Sequence, residues 1–187
     1  MIAVRRPSSP RIEQYRSERL DAAPTCVPGP EPPRGFRHES FSRVVGRGAR
    51  SLAQARLGLQ QWVAHRGSGV EVFPADVELA PGSIVALVTR QLGLWVLAAC
   101  RVEALVDEPS RFGFVYATLP DHPACGYESF VVRRDGDDVV FEIDVVSRPG
   151  IPLARIGAPV ARLLQRNAAN AYLDAMENWV QPIPDRR

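Results

Sequence analysis

Apolar residues fall on one helical face at Leu52, Ala55, Leu59, Trp62 and Val63, spaced three and four apart, until Gly67-Ser68-Gly69 ends the stripe. Ahead of it, Phe41 to Val45 reads as a short strand closed by Gly46-Arg47-Gly48. Beyond it the chain turns β-rich. Val70 to Phe73, Ile84 to Leu92, Leu94 to Val106, Phe112 to Thr118, Tyr127 to Arg133 and Val139 to Val146 read as strands. The breaks between them carry turn formers: Pro81-Gly82, Gly93, Glu108-Pro109-Ser110 and Asp135-Gly136-Asp137. A loop, Leu119 to Gly126, separates two of the strands. From Pro152 to about Val180 the spacing returns to helical, with Leu153, Ile156, Val160, Leu163, Leu164, Ala168, Ala171, Ala175 and Trp179 on one face.

The order is strand, helix, six strands, long helix. Six successive antiparallel strands make a strongly curved sheet whose concave face needs a cover, and the C-terminal helix is the one element long enough. The predicted class is therefore α+β: a helix-grip fold, with about seven antiparallel strands wrapped around that helix. Such an architecture commonly leaves an apolar cavity between sheet and helix.

Residues 1–39 depart from this regularity, with seven prolines and seven arginines. A short helix around Ile12 to Leu20 fits the pattern, but Pro28-Gly29-Pro30-Glu31-Pro32-Pro33 suits neither helix nor inner strand. Residues 1–39 read as an extended, partly mobile arm over a domain formed by residues 40–187.

Composition narrows the function. The 187 residues carry 23 basic and 21 acidic side chains, a net charge of +2, which argues against a nucleic-acid partner. All the basic residues are arginine, so lysine-based nucleophiles and phosphate-loop lysines are excluded. Cys26, Cys100 and Cys125 are too few and too irregular for a disulfide scaffold and fit a cytoplasmic setting. No apolar run suits a signal peptide or membrane insertion. No cofactor fingerprint is present, and His122 and Cys125 have only scattered company as metal ligands, so neither cofactor nor metal is expected.

The stretch Phe112-Gly113-Phe114-Val115-Tyr116-Ala117-Thr118-Leu119-Pro120-Asp121-His122-Pro123 resembles the signature of the DUF1990 family, a bacterial and plant family catalogued as a domain of unknown function. Gly126-Tyr127-Glu128-Ser129-Phe130, Ser147-Arg148-Pro149, Pro33-Arg34-Gly35-Phe36-Arg37-His38 and Gly157-Ala158-Pro159-Val160 add to the resemblance, which covers about residues 10–178. Two positions depart from it: Tyr127 stands where the family usually has an acidic residue, and Ser129 where it has a basic one. More distantly, the topology resembles the birch-allergen, START and polyketide-cyclase superfamily (SRPBCC-like). That likeness implies a hydrophobic ligand, or cyclase or dehydratase chemistry.

Strand parity selects the candidate chemistry. Phe112, Phe114, Tyr116 and Thr118 share a face, as do Glu128, Phe130 and Val132. A carboxylate on an apolar face has a raised pKa unless paired, which is how general acids and bases are made. The competing readings put Glu128 at a wet strand end or against an arginine. Arg148 is the expected partner, with a helix-entry clamp as its structural alternative. Tyr116 and His122 complete the catalytic candidates, His122 doubling as a turn device. Phe112, Phe114, Phe130, Trp95 and Ser147 are the candidate ligand contacts. Glu142 and Asp144 are expected to face solvent, Cys100 to lie in the core, and Cys125 to be an exposed thiol. The favoured function is binding of an apolar or amphipathic small molecule. An acid–base enzyme on the same fold and a protein-interaction module using the arm stand as alternatives, and a homodimer is compatible with either.

Overall fold

The computed structural model describes residues 1–150 and 158–181, with the backbone alone for 158–162. Its elements are β1 (Ile2–Ala3), α1 (Ser9–Ser17), β2 (Arg37–Arg47), α2 (Gly48–Gln60), α3 (Val63–Gly67), β3 (Glu71–Phe73), β4 (Ile84–Gln91), β5 (Leu94–Glu108), β6 (Arg111–Thr118), β7 (Ala124–Asp135), β8 (Asp138–Pro149) and α4 (Ala158–Val180). The expected helical start at Pro152, and with it Leu153 and Ile156, lies outside the described residues, as does the side chain of Val160.

The strands form one antiparallel sheet in the order β2-β8-β7-β6-β5-β4-β3, with β1 added on β5. The hairpins follow from the turn residues. Leu92 and Gly93, both at positive φ, close β4 onto β5, and Gly136 at φ 61° closes β7 onto β8. Register irregularities between Val44 and Gly46 and between Val102 and Ala104 accompany the curvature of the long strands. The concave face holds Phe112, Phe114, Phe130, Phe141 and Ile143, packed against Leu59 and Trp62 and against Tyr172, Leu173, Met176 and Val180 of α4. Each such side chain, fully buried, contributes about 1.5–3 kcal/mol. This is the helix grip.

Two features differ from the periodicity. The stripe from Leu52 to Val63 is split, because Trp62 adopts a left-handed backbone (φ 58°) between α2 and α3. That break seats the indole 5.0 Å from the Phe114 ring and 5.1 Å from the His65 ring. The second difference concerns the N-terminal segment. Ile12 and Tyr15 of α1 are buried on the convex face against Ile84, Ala86, Val88, Leu97 and Leu119. Farther along, Thr25 N–H donates to Thr118 O at 2.8 Å, and the chain enters the sheet at Arg37.

Candidate functional site

The register of β6 on β7 pairs Tyr116 with Glu128 and Phe114 with Phe130, and Glu128 in turn faces Val145 of β8. Strand alternation sends all five side chains to the concave face. Tyr116 donates its hydroxyl hydrogen to Glu128 Oε2 at 2.7 Å, within the range of a charge-assisted bond. His65 Nε2 lies 3.3 Å from the same hydroxyl oxygen. Since the only proton of that hydroxyl is committed to Glu128, the imidazole donates from Nε2. The result is a directed chain from His65 to Tyr116 to Glu128.

Aromatic rings enclose this chain. His65 is 4.8 Å from the Phe130 ring and 4.9 Å from the Tyr172 ring. Burial sets the protonation states. It pushes His65 down to about 3, so the imidazole is neutral at pH 7. Burial likewise raises Tyr116 and Tyr172, with the nearby Glu128 charge adding to both. Glu128 is raised above the ordinary carboxylate range by burial, and the hydrogen bond from Tyr116 opposes that shift. Among the described residues no cation acts on Glu128. Its carboxyl therefore depends on one tyrosine hydroxyl.

Exposure changes sharply along the concave face. Phe130 and Phe141 are 0% exposed and Tyr116 3%, whereas Glu128, Ser147, Phe41 and Gln165 keep partly exposed surface. Ser147 Oγ accepts a hydrogen bond from Gln165 Nε2 of α4 at 3.0 Å, which ties sheet to helix near that end. The polar chain thus sits where a closed aromatic core gives way to accessible surface.

Other candidates lie elsewhere. Arg148 pairs with Cys125 in the β7–β8 register and occupies the face of β8 opposite Val145. Its guanidinium covers the Phe36 ring at 4.9 Å. The expected Glu128–Arg148 pair is therefore not made, because Arg148 lies three positions beyond Val145 along β8 and strand alternation reverses its face. Trp95 packs with the α1 cluster on the convex face, away from the other proposed ligand contacts. His122 acts in its loop: Nδ1 lies 3.0 Å from Ala124 N and 2.9 Å from Ala124 O, and burial pushes the ring down to about 4. It borders a separate cavity of about 290 Å³ with Thr25, Asp121, Cys125 and Arg148. Phe112, Phe114 and Phe130 are closed core residues, Phe112 beneath the Arg56 guanidinium at 4.5 Å. Among the described residues no cluster of three or more His, Cys, Asp or Glu side chains converges.

His65 is the participant that pattern reading missed. The signal was there: Leu59, Trp62 and His65 continue the stripe at spacings of three. A polar residue on that face is buried by the same packing.

Tyr116→Phe isolates the chain's central bond. Removing the hydroxyl strips the Glu128 carboxylate of its partner and is expected to cost about 1–3 kcal/mol at pH 7. Glu128 is then pushed further up. The carboxylate's burial cost is absent below its unfolded pKa and grows as pH rises toward the folded value, so the loss at pH 7 exceeds that at pH 4. Urea denaturation of parent and variant at both pH values checks this; equal losses would contradict it.

Fold and site together define a helix-grip protein with a tyrosine-held carboxyl on its concave face. A profile described as Domain of unknown function (DUF1990) matches residues 22–175, and the chain belongs to that family. It is 31% identical over 196 residues to a UPF0548 protein of Deinococcus radiodurans, covering 92% of this chain and 95% of that one. Solved structures share the fold at low identity. Ara h 8.0201 superposes with a TM-score of 0.52 at 10% identity, over 78% of this chain and 98% of its own. The Zhui aromatase/cyclase from Streptomyces sp. R1128 gives 0.51 at 18% identity, over 78% and 93%. No helix among the described residues is long and apolar enough to cross a membrane.

Proposed function

We propose that this protein binds an apolar or amphipathic small molecule between the sheet and α4, with Glu128 and Tyr116 orienting the polar end. The observation that carries this reading is the Tyr116–Glu128 hydrogen bond of 2.7 Å beside the aromatic core of the concave face, with no cation acting on Glu128 among the described residues. A half-buried carboxyl held this way is costly to the fold, and such groups concentrate at functional sites. The partly exposed surface at Glu128, Ser147, Phe41 and Gln165 supports entry at that end, over the aromatic floor of Phe114 and Phe130. A ligand hydroxyl, amine or carbonyl would take over part of the hydrogen bonding there.

A second reading, acid–base catalysis on a carbonyl substrate, is favoured by the raised Glu128 carboxyl itself. Glu128 would accept and return a proton, Tyr116 would donate to the carbonyl oxygen, and His65 would position Tyr116. The aromatase/cyclase among the fold neighbours supports this chemistry.

The two readings separate with one pair of proteins, the parent chain and Glu128→Gln. Both are titrated with a panel of aromatic polyketide-like ketones, with binding read by tryptophan fluorescence and conversion by mass spectrometry. Binding alone predicts saturable quenching in the parent, weakened about tenfold, or about 1.4 kcal/mol, in the variant. Catalysis predicts conversion by the parent, lost in Glu128→Gln with affinity kept. Quenching by no panel member, or equal binding by both proteins without conversion, would contradict both readings.

A further inference from the structure

Two of the three thiols share one small apolar cluster. Cys26, in the segment that leads to β2, and Cys125, at the start of β7, pack with Ala117, Tyr127 and Val146 on the convex face. Cys125 Sγ lies 3.4 Å from Thr25 O, the carbonyl of the residue just before Cys26. From that oxygen to the next Cα is a little under 3 Å in a trans peptide, so Cys125 Sγ stands within about 6 Å of Cys26 Cα. That is disulfide reach after small side-chain adjustment. Cys100 is 0% exposed in the concave core, on the opposite side of the sheet.

The two thiols differ in access. The expectation of an exposed thiol at Cys125 is corrected: the residue is 8% exposed, because the N-terminal segment covers it at Thr25. It nonetheless lines the 290 Å³ cavity that opens beside Arg148, and its thiol is the one an oxidant would meet first. Cys26 is 9% exposed and does not line the cavity; burial and then Cys125 push its thiol up, and the Arg148 guanidinium opposes that shift.

We propose that Cys26 and Cys125 form a peroxide-driven disulfide that fastens the N-terminal segment to β7 across the wall of this cavity. The Cys125 thiolate attacks the O–O bond of a hydroperoxide, giving a sulfenic acid and releasing water or alcohol. The Cys26 thiolate then attacks that sulfur and displaces hydroxide, which leaves as water with the thiol proton. Two thiols are oxidised and one peroxide is reduced. The covalent link fixes Thr25 and Cys125, two lining residues, and so holds the cavity in one shape.

The test uses the reduced full-length protein and stoichiometric hydrogen peroxide. The free thiol count is expected to fall from three to one, with an intact mass lighter by two hydrogen atoms. Peptide mapping without reductant should give a single cross-linked pair containing Cys26 and Cys125, reversed by dithiothreitol. Cys26→Ser should instead accumulate a dimedone-trappable sulfenic acid at Cys125. The map of the parent protein needs no variant and decides the matter alone. Three thiols retained after peroxide, a link involving Cys100, or links only between two molecules would overturn the proposal.

Discussion

Acidification from pH 7 to pH 4 is expected to cost the fold on the order of 3 kcal/mol through His65 alone. Its imidazole is held down to about 3 in the folded protein, against an ordinary value of 6.5, because the aromatic cage excludes water from the charged form. The unfolded chain therefore binds a proton that the folded chain refuses. Stability is fully present above the unfolded pKa and falls as pH drops from about 6.5 toward 3. His122, held down to about 4, adds a second such proton. Glu128 acts in the opposite sense, since its raised pKa lets the folded state take up a proton more readily than the unfolded state. Urea denaturation across this range should show His65→Gln, which keeps a donor toward Tyr116, losing about 3 kcal/mol less than the parent between pH 7 and 4. An unchanged slope in that variant would show that His65 is not held neutral by burial.

The second large effect belongs to Phe130. Its ring is 0% exposed and stacks on Phe114 at 5.2 Å, with Tyr116, His65 and Tyr172 on its other sides. Phe130→Ala removes the centre of that group and is expected to cost about 3–5 kcal/mol. The void opens two residues along β7 from Glu128, so water reaching it would also bring the Glu128 pKa back toward the ordinary carboxylate value. A denaturation midpoint and a carboxyl titration read the two consequences independently. A loss below about 1 kcal/mol would mean that the concave core repacks freely, and the aromatic floor assigned to the ligand would then have no fixed shape.

The grip was legible in the sequence because its strands are bounded by turn residues whose chemistry allows little else. Gly93 and Gly136 mark hairpins, and the Asp135–Asp138 pairing across the second of them fixes Glu128 opposite Val145. Parity alone then placed Tyr116 and Glu128 on the apolar face. The same count excludes Arg148 from that face, since Ile143, Val145 and Ser147 alternate with it. The place of Arg148 just before the final helix, where the dipole disfavours a cation, suggested the pair, and strand alternation prevailed. Trp95 and Cys125 were misplaced for another reason. Both are covered by the N-terminal segment, through α1 and Thr25. That packing joins residues far apart in the chain and leaves no local period. His65 lay on a readable stripe, but its partner Tyr116 is 51 residues away, and no spacing rule connects them.

Native mass spectrometry of the protein purified from its own host, beside Glu128→Gln prepared identically, tests the central claim most directly. A small apolar or amphipathic molecule is expected bound one per chain in the parent, with occupancy reduced severalfold in Glu128→Gln. Equal occupancy of the same molecule in both proteins would contradict it, because Glu128 would then orient nothing. So would a parent protein that binds nothing while Glu128 titrates as an ordinary surface carboxylate.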